Sequence, residues 1–178
     1  MKSLILATLL ISALSAVAVP AADLPAGFQQ VPQATTVAKP ARTEVIDFFW
    51  YGCPYCNLFE PQLEDWLASK PDNVDFIRIP AVIRPGWSRH ARAFYTAAAL
   101  GVVDPLHKQF FDADHADDLN ELAALFSEQG IERSRFEAVF NSEETGRKVQ
   151  EAVRLTRRYG IDSVPAIVVN GRYRTNPV

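Results

Sequence analysis

Glu44-Val45-Ile46-Asp47-Phe48-Phe49-Trp50-Tyr51-Gly52-Cys53-Pro54-Tyr55-Cys56 is the stretch that decides the fold of this chain. From Glu44 to Tyr51 it is a nearly continuous run of β-favouring apolar residues, interrupted by Asp47, as expected of a strand buried on both faces of a sheet. Gly52 breaks the run, and Cys53 stands where a helix begins. Pro54 suits the first helical position, where its missing N–H costs nothing. Leu58, Phe59, Leu63, Trp66 and Leu67 continue as a helical apolar stripe, which Pro61 is expected to kink.

Cys53 and Cys56 are the only cysteines in the chain. A Cys-x-x-Cys pair between a buried strand and a helix points to disulfide exchange. A structural bridge here would close a loop of only about four residues and would stabilise little. A structural zinc site wants four ligands, and His90, His107 and His115 lie far along the chain in segments that read as helical. A cysteine at a helix N-terminus faces unpaired backbone N–H groups and the positive end of the helix dipole, so the Cys53 thiol is expected to ionise below the free value of about 8.5. Cys56, one turn further, is expected to be buried and less reactive.

After the loop at Lys70 to Asn73, a second strand reads from Val74 to Ile79, and a right-handed crossover makes it parallel to the first. From Ser88 to about Tyr159 the periodicity is helical, with Leu119, Leu122, Ala123 and Phe126 on one face and Phe136, Val139 and Phe140 on another. Ser134 with Glu137 reads as a capping box. Beyond Gly160 the pattern returns to strands, Ala166 to Val169 and Arg172 to Thr175, around Asn170-Gly171, a strong hairpin signal. Residues 23 to 42 read as an extended lead-in with a short edge strand around Phe28 to Val31. Together these make an α/β chain of thioredoxin-like fold, with a helical insertion at about 88–160.

Met1-Lys2-Ser3 followed by an uncharged apolar run from Leu4 to Val19 and small residues to Ala22 reads as a secretory signal peptide over residues 1–22, leaving one domain over 23–178. As a membrane anchor the run is short of the roughly 20 residues needed to span. The expected location is the bacterial periplasm. With 18 Lys+Arg against 21 Asp+Glu, net charge −3, nothing suggests nucleic-acid binding. Arg147, Lys148, Arg154, Arg157 and Arg158, mixed with Glu143, Glu144 and Glu151, read as a solvated helix face. Arg84, Arg89 and Arg92 form a second, smaller basic group.

The segment from Phe48 to Cys56, the stretch from Trp87 to Tyr95, and Ser163-Val164-Pro165-Ala166 followed by Val169-Asn170-Gly171-Arg172-Tyr173 together resemble the DsbA family of periplasmic thiol:disulfide oxidases. The resemblance covers nearly all of the chain beyond the leader. It implies a monomeric oxidase that introduces disulfides into reduced exported proteins through Cys53 and Cys56, without metal or organic cofactor, and that is reoxidised by a quinone-linked membrane partner of the DsbB type. It also implies a cis peptide before Pro165, in a loop where the Val164 backbone pairs with an extended substrate; read without the family, Pro165 is an ordinary strand-start proline.

Asp47 matches the acidic residue that thioredoxin-like proteins place beneath the cysteines, where burial raises its pKa and lets it assist proton transfer at Cys56; a structural pair with Arg78 is the other reading. Glu60 resembles a modulating acidic position of the family, or is an exposed helix carboxylate. Pro54 and Tyr55 tune the cysteine pair, and Tyr55 stands where the family often carries a histidine. A family helix beyond the last hairpin is expected to be missing, since the sequence stops at Asn176-Pro177-Val178.

Two rival functions stay open: a periplasmic disulfide reductase or isomerase, and a binding module holding Cu(I) between the thiols. Asp112, Asp114, His115, Asp117 and Asp118 look metal-like, but Ala116 and Asp117 break the EF-hand pattern, so loop and helix-cap roles are expected. His107 reads as a helix-surface residue. Trp50, Trp66 and Trp87 read first as core aromatics, with Trp87 at the edge of a substrate surface.

Overall fold

The computed structural model describes residues 24–32, 42–112 and 118–177. The expected leader, and Asp114, His115 and Asp117, lie outside these residues. The described elements run β1 (Phe28–Gln30), β2 (Thr43–Phe49), α1 (Pro54–Ser69), β3 (Val74–Pro80), α2 (Ser88–Leu100), α3 (Val103–Asp112), α4 (Leu119–Glu128), α5 (Arg133–Phe140), α6 (Glu143–Arg158), β4 (Ala166–Val169) and β5 (Tyr173–Thr175).

The strands form one mixed sheet in the order β1-β5-β4-β2-β3. β2 lies parallel to β3, with Asp47 opposite Arg78. It lies antiparallel to β4, with Asp47 opposite Ile167. The fold class read from the sequence is the one observed, a thioredoxin-like α/β sheet with helices α2 to α6 inserted between β3 and β4.

Alternation along β2 splits its side chains between two cores. Ile46 and Phe48 face one way, where Ile79, Ala166 and Val168 meet Ala152 and Tyr159 from the α6 side. Phe49 faces the other way, into the cluster that holds Cys53, Cys56, Phe94, Leu106, Phe110, Phe111 and Phe126. Each of the Val, Leu, Ile and Phe side chains buried here contributes about 1.5–3 kcal/mol relative to exposure. The cysteine pair therefore sits at the junction of sheet and helical block.

Local chemistry fixes the ends. Asn170 and Gly171 adopt φ of 52° and 61°, as a tight hairpin with two left-handed residues requires. The turn is pinned to β2, because the Glu44 N–H donates to Asn170 Oδ1 at 2.8 Å. Asp118 caps α4 and Ser142 caps α6. α6 carries Glu143 and Glu144 in its first turn and Arg157 and Arg158 in its last, each complementing the helix dipole. Arg147 pairs with Glu143 and Glu144, and Arg154 with Glu151, so this basic segment is the solvated face expected of it.

Four expectations are corrected. β2 ends at Phe49, and Trp50 and Tyr51 leave the sheet to form the turn into α1. Leu58 is 69% exposed and lies off the buried stripe of α1, which runs through Cys56 and Leu63. Ser134 does not cap α5: the N-cap position is Glu132, and Glu137 pairs with Arg133 instead. His107 is buried, because the same turn of α3 that buries Leu106, Phe110 and Phe111 brings it onto Tyr51. Asp112 pairs with Lys108 in a surface i, i+4 contact. Among the described residues no helix is long and apolar enough to cross a membrane.

Candidate active site

Cys53 is the N-cap of α1 and Pro54 opens the helix. Both cysteines are free thiols. The Cys56 backbone N–H donates to Cys53 Sγ at 3.3 Å. Hydrogen bonds from the Cys56 thiol, and from the backbone N–H groups of Cys56 and Tyr55, hold the Cys53 pKa down at about 6 against the opposing effect of burial. Cys56 moves the other way: its bond to Cys53 and its burial push its pKa well up. The helix start thus separates the two thiols into one that ionises near neutral pH and one that keeps its proton.

The chain returns to this point after α6, just before it enters β4. The Val164–Pro165 peptide is cis, and the Cys53 thiol donates to the Val164 carbonyl at 3.4 Å. Asn176, just past β5, donates its amide to the Pro165 carbonyl at 2.9 Å and to Ser163 Oγ at 3.2 Å, tying this loop to the end of the sheet. Tyr55 is 62% exposed beside the pair. Trp50 stacks flat on Trp87, just before α2, with ring centroids 4.1 Å apart.

Beneath the thiols lies a buried charge cluster. Asp47 is 1% exposed, and neither carboxylate oxygen has a hydrogen-bond partner among the described residues. Burial, assisted by the negative charge of Glu60 and only partly offset by Arg78, pushes its pKa up to about 8. Arg78 is the cross-strand neighbour of Asp47, yet the two stand 3.9 Å apart. The guanidinium turns instead to Glu60 and Glu64, both at 2.7 Å. Glu60 is therefore a half-buried ion-pair partner rather than an exposed carboxylate. Asp47 thus has Arg78 beside it only as a long ion pair, 3.9 Å from Nε.

Sequence reasoning missed two members of this region. The Tyr51 phenol stands 2.9 Å from His107 Nδ1, and His107 Nε2 lies 3.4 Å from Glu60 Oε2. Beside them, a groove of about 350 Å³ between α1 and α3 is lined by Asn57, Glu60, Glu64, Arg78, His107 and Phe111, among others. Among the described residues no three His, Cys, Asp or Glu side chains come together so as to hold a metal ion.

The profile of the DSBA-like thioredoxin domain matches residues 44–177. Curated relatives called thiol:disulfide interchange protein DsbA include that of Burkholderia cepacia, 36% identical over 156 residues and spanning 84% of this chain and 74% of its own. That of Azotobacter vinelandii is 37% identical over 160 residues, spanning 86% and 75%. Among solved structures, Pseudomonas aeruginosa DsbA aligns with a TM-score of 0.76 at 31% identity, over 84% of this chain and 81% of its own. The oxidoreductase DsbA of Xylella fastidiosa gives the same score and identity, over 84% and 85%. At this identity and over this much of its length, the chain belongs to the DSBA-like thioredoxin domain family and is a thiol:disulfide oxidoreductase.

Proposed function

We propose that the protein works in the periplasm as an oxidase that introduces disulfides into exported proteins. The observation that carries this reading is the placement of Cys53 at the N-cap of α1, where its Sγ accepts from the Cys56 N–H at 3.3 Å, an environment that favours the thiolate and holds the pKa down at about 6. Stabilising the thiolate stabilises the reduced enzyme, and a stabilised reduced form makes the disulfide a strong oxidant.

In the proposed cycle the working form holds the Cys53–Cys56 disulfide. A substrate thiolate attacks Cys53 Sγ, the S–S bond breaks, and Cys56 leaves as a thiolate. That thiolate takes a proton, for which Asp47, still protonated at neutral pH and placed beneath Cys56, is the donor. A second substrate thiolate then attacks the substrate sulfur of the mixed disulfide, and Cys53 departs as a thiolate, an easy leaving group. The substrate dithiol has lost two electrons and the enzyme has gained them.

Val164 and Pro165 frame the position of an extended substrate beside Cys53, and Pro54 and Tyr55 tune the pair. Reoxidation falls to a quinone-linked membrane partner of the DsbB type, and the protein acts as a monomer without metal or organic cofactor. The test is a Cys56→Ser variant, first converted at Cys53 to its mixed disulfide with glutathione, incubated with a reduced, unfolded exported protein whose thiolate displaces glutathione. A stable mixed disulfide through Cys53, together with rapid disulfide formation by the oxidised wild type, supports the proposal. A wild type that only reduces or shuffles existing disulfides moves it to the reductase and isomerase side.

A further inference from the structure

One buried polar chain has no part in the cycle above: Tyr51, His107 and Glu60, contributed by the turn after β2, by α3 and by α1. Burial drives the Tyr51 pKa well up, so its hydroxyl keeps its proton, and it shares a hydrogen bond of 2.9 Å with His107 Nδ1. The ring meets Tyr51 through Nδ1 and turns Nε2 toward α1. Nε2 faces Glu60 Oε2 at 3.4 Å, a close approach that completes no hydrogen bond among the described residues, and that oxygen takes Arg78 Nη2 at 2.7 Å. Glu60 is thereby held from the α3 side and from the β3 side at once, at the wall of an open groove into which it could otherwise turn.

Arg78 is the pivot of this arrangement. It has two carboxylates at 2.7 Å and a third, Asp47, at 3.9 Å, while its Nε makes no hydrogen bond among the described residues. We propose that His107 is a positioning residue for Asp47: standing buried between Tyr51 and Glu60, it keeps Glu60 on Arg78, and so keeps Arg78 from closing on the buried Asp47 carboxyl. The inference rests on the reading of Asp47 as the proton donor to Cys56.

The groups that face Asp47 are few. Arg78 comes from β3, and Glu60 and Cys56 come from α1, with Glu64 on the far side of Arg78. Tyr51 and His107 stand behind Glu60, with Asp104 and Lys108 further along the groove. β4 offers the apolar Ile167 in register. If Glu60 swings away, Asp47 loses a like charge and gains a cation. Both changes favour its ionised form and leave it a poorer acid at neutral pH.

The experiment follows the Asp47 carboxyl directly by carbon-13 NMR titration of the reduced full chain, alongside the pH dependence of peptide dithiol oxidation by the oxidised form. His107→Leu removes both contacts. His107→Gln keeps an acceptor for Tyr51 and a donor for Glu60, and Tyr51→Phe removes a single hydroxyl. The wild-type midpoint is expected near 8. In His107→Leu it is expected to fall by at least one pH unit, a tenfold loss of proton affinity, with a matching fall in oxidation rate above neutral pH. Tyr51→Phe should shift it the same way by less, and His107→Gln should restore it.

An unmoved midpoint in Tyr51→Phe and His107→Leu alike overturns the role of His107; should His107→Leu fail to fold, Tyr51→Phe alone decides. A wild-type midpoint near 8 with an Asp47→Asn variant that oxidises at the wild-type rate instead removes Asp47 from the cycle, and leaves the placement of Glu60 by His107 standing.

Discussion

Cys53 Sγ reaches the Val164 carbonyl at 3.4 Å and takes the Cys56 N–H at 3.3 Å, so one sulfur ties the start of α1 to a loop 111 residues later in the chain. Only a thiol can donate to that carbonyl, whereas a thiolate is the better acceptor for the N–H. Ionising Cys53 therefore strengthens its bond to the helix and frees the carbonyl to accept from a backbone laid beside it.

The balance between these states is measurable. Thiolate absorbance should give a Cys53 midpoint near 6. Between pH 6 and about 8.5 the native reduced protein holds a thiolate where the unfolded chain holds a thiol, so the unfolded state binds more protons and Cys53 stabilises the fold increasingly as pH rises. That contribution is lost as pH falls through 6. The stability gap between reduced wild type and reduced Cys53→Ala should widen from pH 6 to 8.5 in urea titrations; a gap that narrows contradicts the assignment.

Asp47 has the opposite sign. Its carboxyl keeps a proton in the native state up to about 8 but in the unfolded chain only to about 3.9, so it costs stability increasingly as pH rises through that window. Asp47→Leu should therefore be more stable than wild type above pH 8, by an amount on the order of a few kcal/mol, with the advantage shrinking toward pH 4. Denaturant midpoints at pH 4.5 and 8.5 test this, and an advantage independent of pH would mean that Asp47 is ionised in the fold at both, its pKa not raised by burial.

Gly52 allows the Trp50 indole to lie across the turn. A Cβ at position 52 would overlap the six-membered ring of that indole. Gly52→Ala should push Trp50 out of its stack on Trp87, costing about 1–3 kcal/mol and changing the tryptophan fluorescence. Unchanged emission and stability would show that the stack does not depend on this glycine.

Tyr55 is exposed beside Cys53, and a neutral phenol brings no positive charge to the thiolate. Tyr55→His should lower the Cys53 midpoint and make the pair more oxidising in glutathione equilibria. An unchanged or more reducing pair would remove residue 55 from the tuning of the site.

Much of this was legible in the sequence because it is local. The strand before Cys53, the proline-opened helix and the Asn170-Gly171 hairpin each follow from a few consecutive residues, and Cys53 and Cys56 come together by helical spacing alone. His107 was not legible. Its neighbours Leu106, Phe110 and Phe111 reveal a buried face of α3, but its hydrogen-bond partner Tyr51 lies 56 residues earlier. Asp47 and Arg78 could be placed side by side from parallel pairing, yet which carboxylate Arg78 takes depends on where α1 lays Glu60 and Glu64. Leu58 misled for the same reason: the apolar pattern of α1 does not say where its packing partners stop.

The central claim, that this cysteine pair is poised to oxidise, is tested most directly by its reduction potential. Equilibration of the full chain against glutathione buffers should place the Cys53–Cys56 couple on the oxidising side of about −180 mV, toward the value of about −120 mV known for DsbA. A value near about −270 mV would mean a stable disulfide and a reducing protein, and would contradict the account.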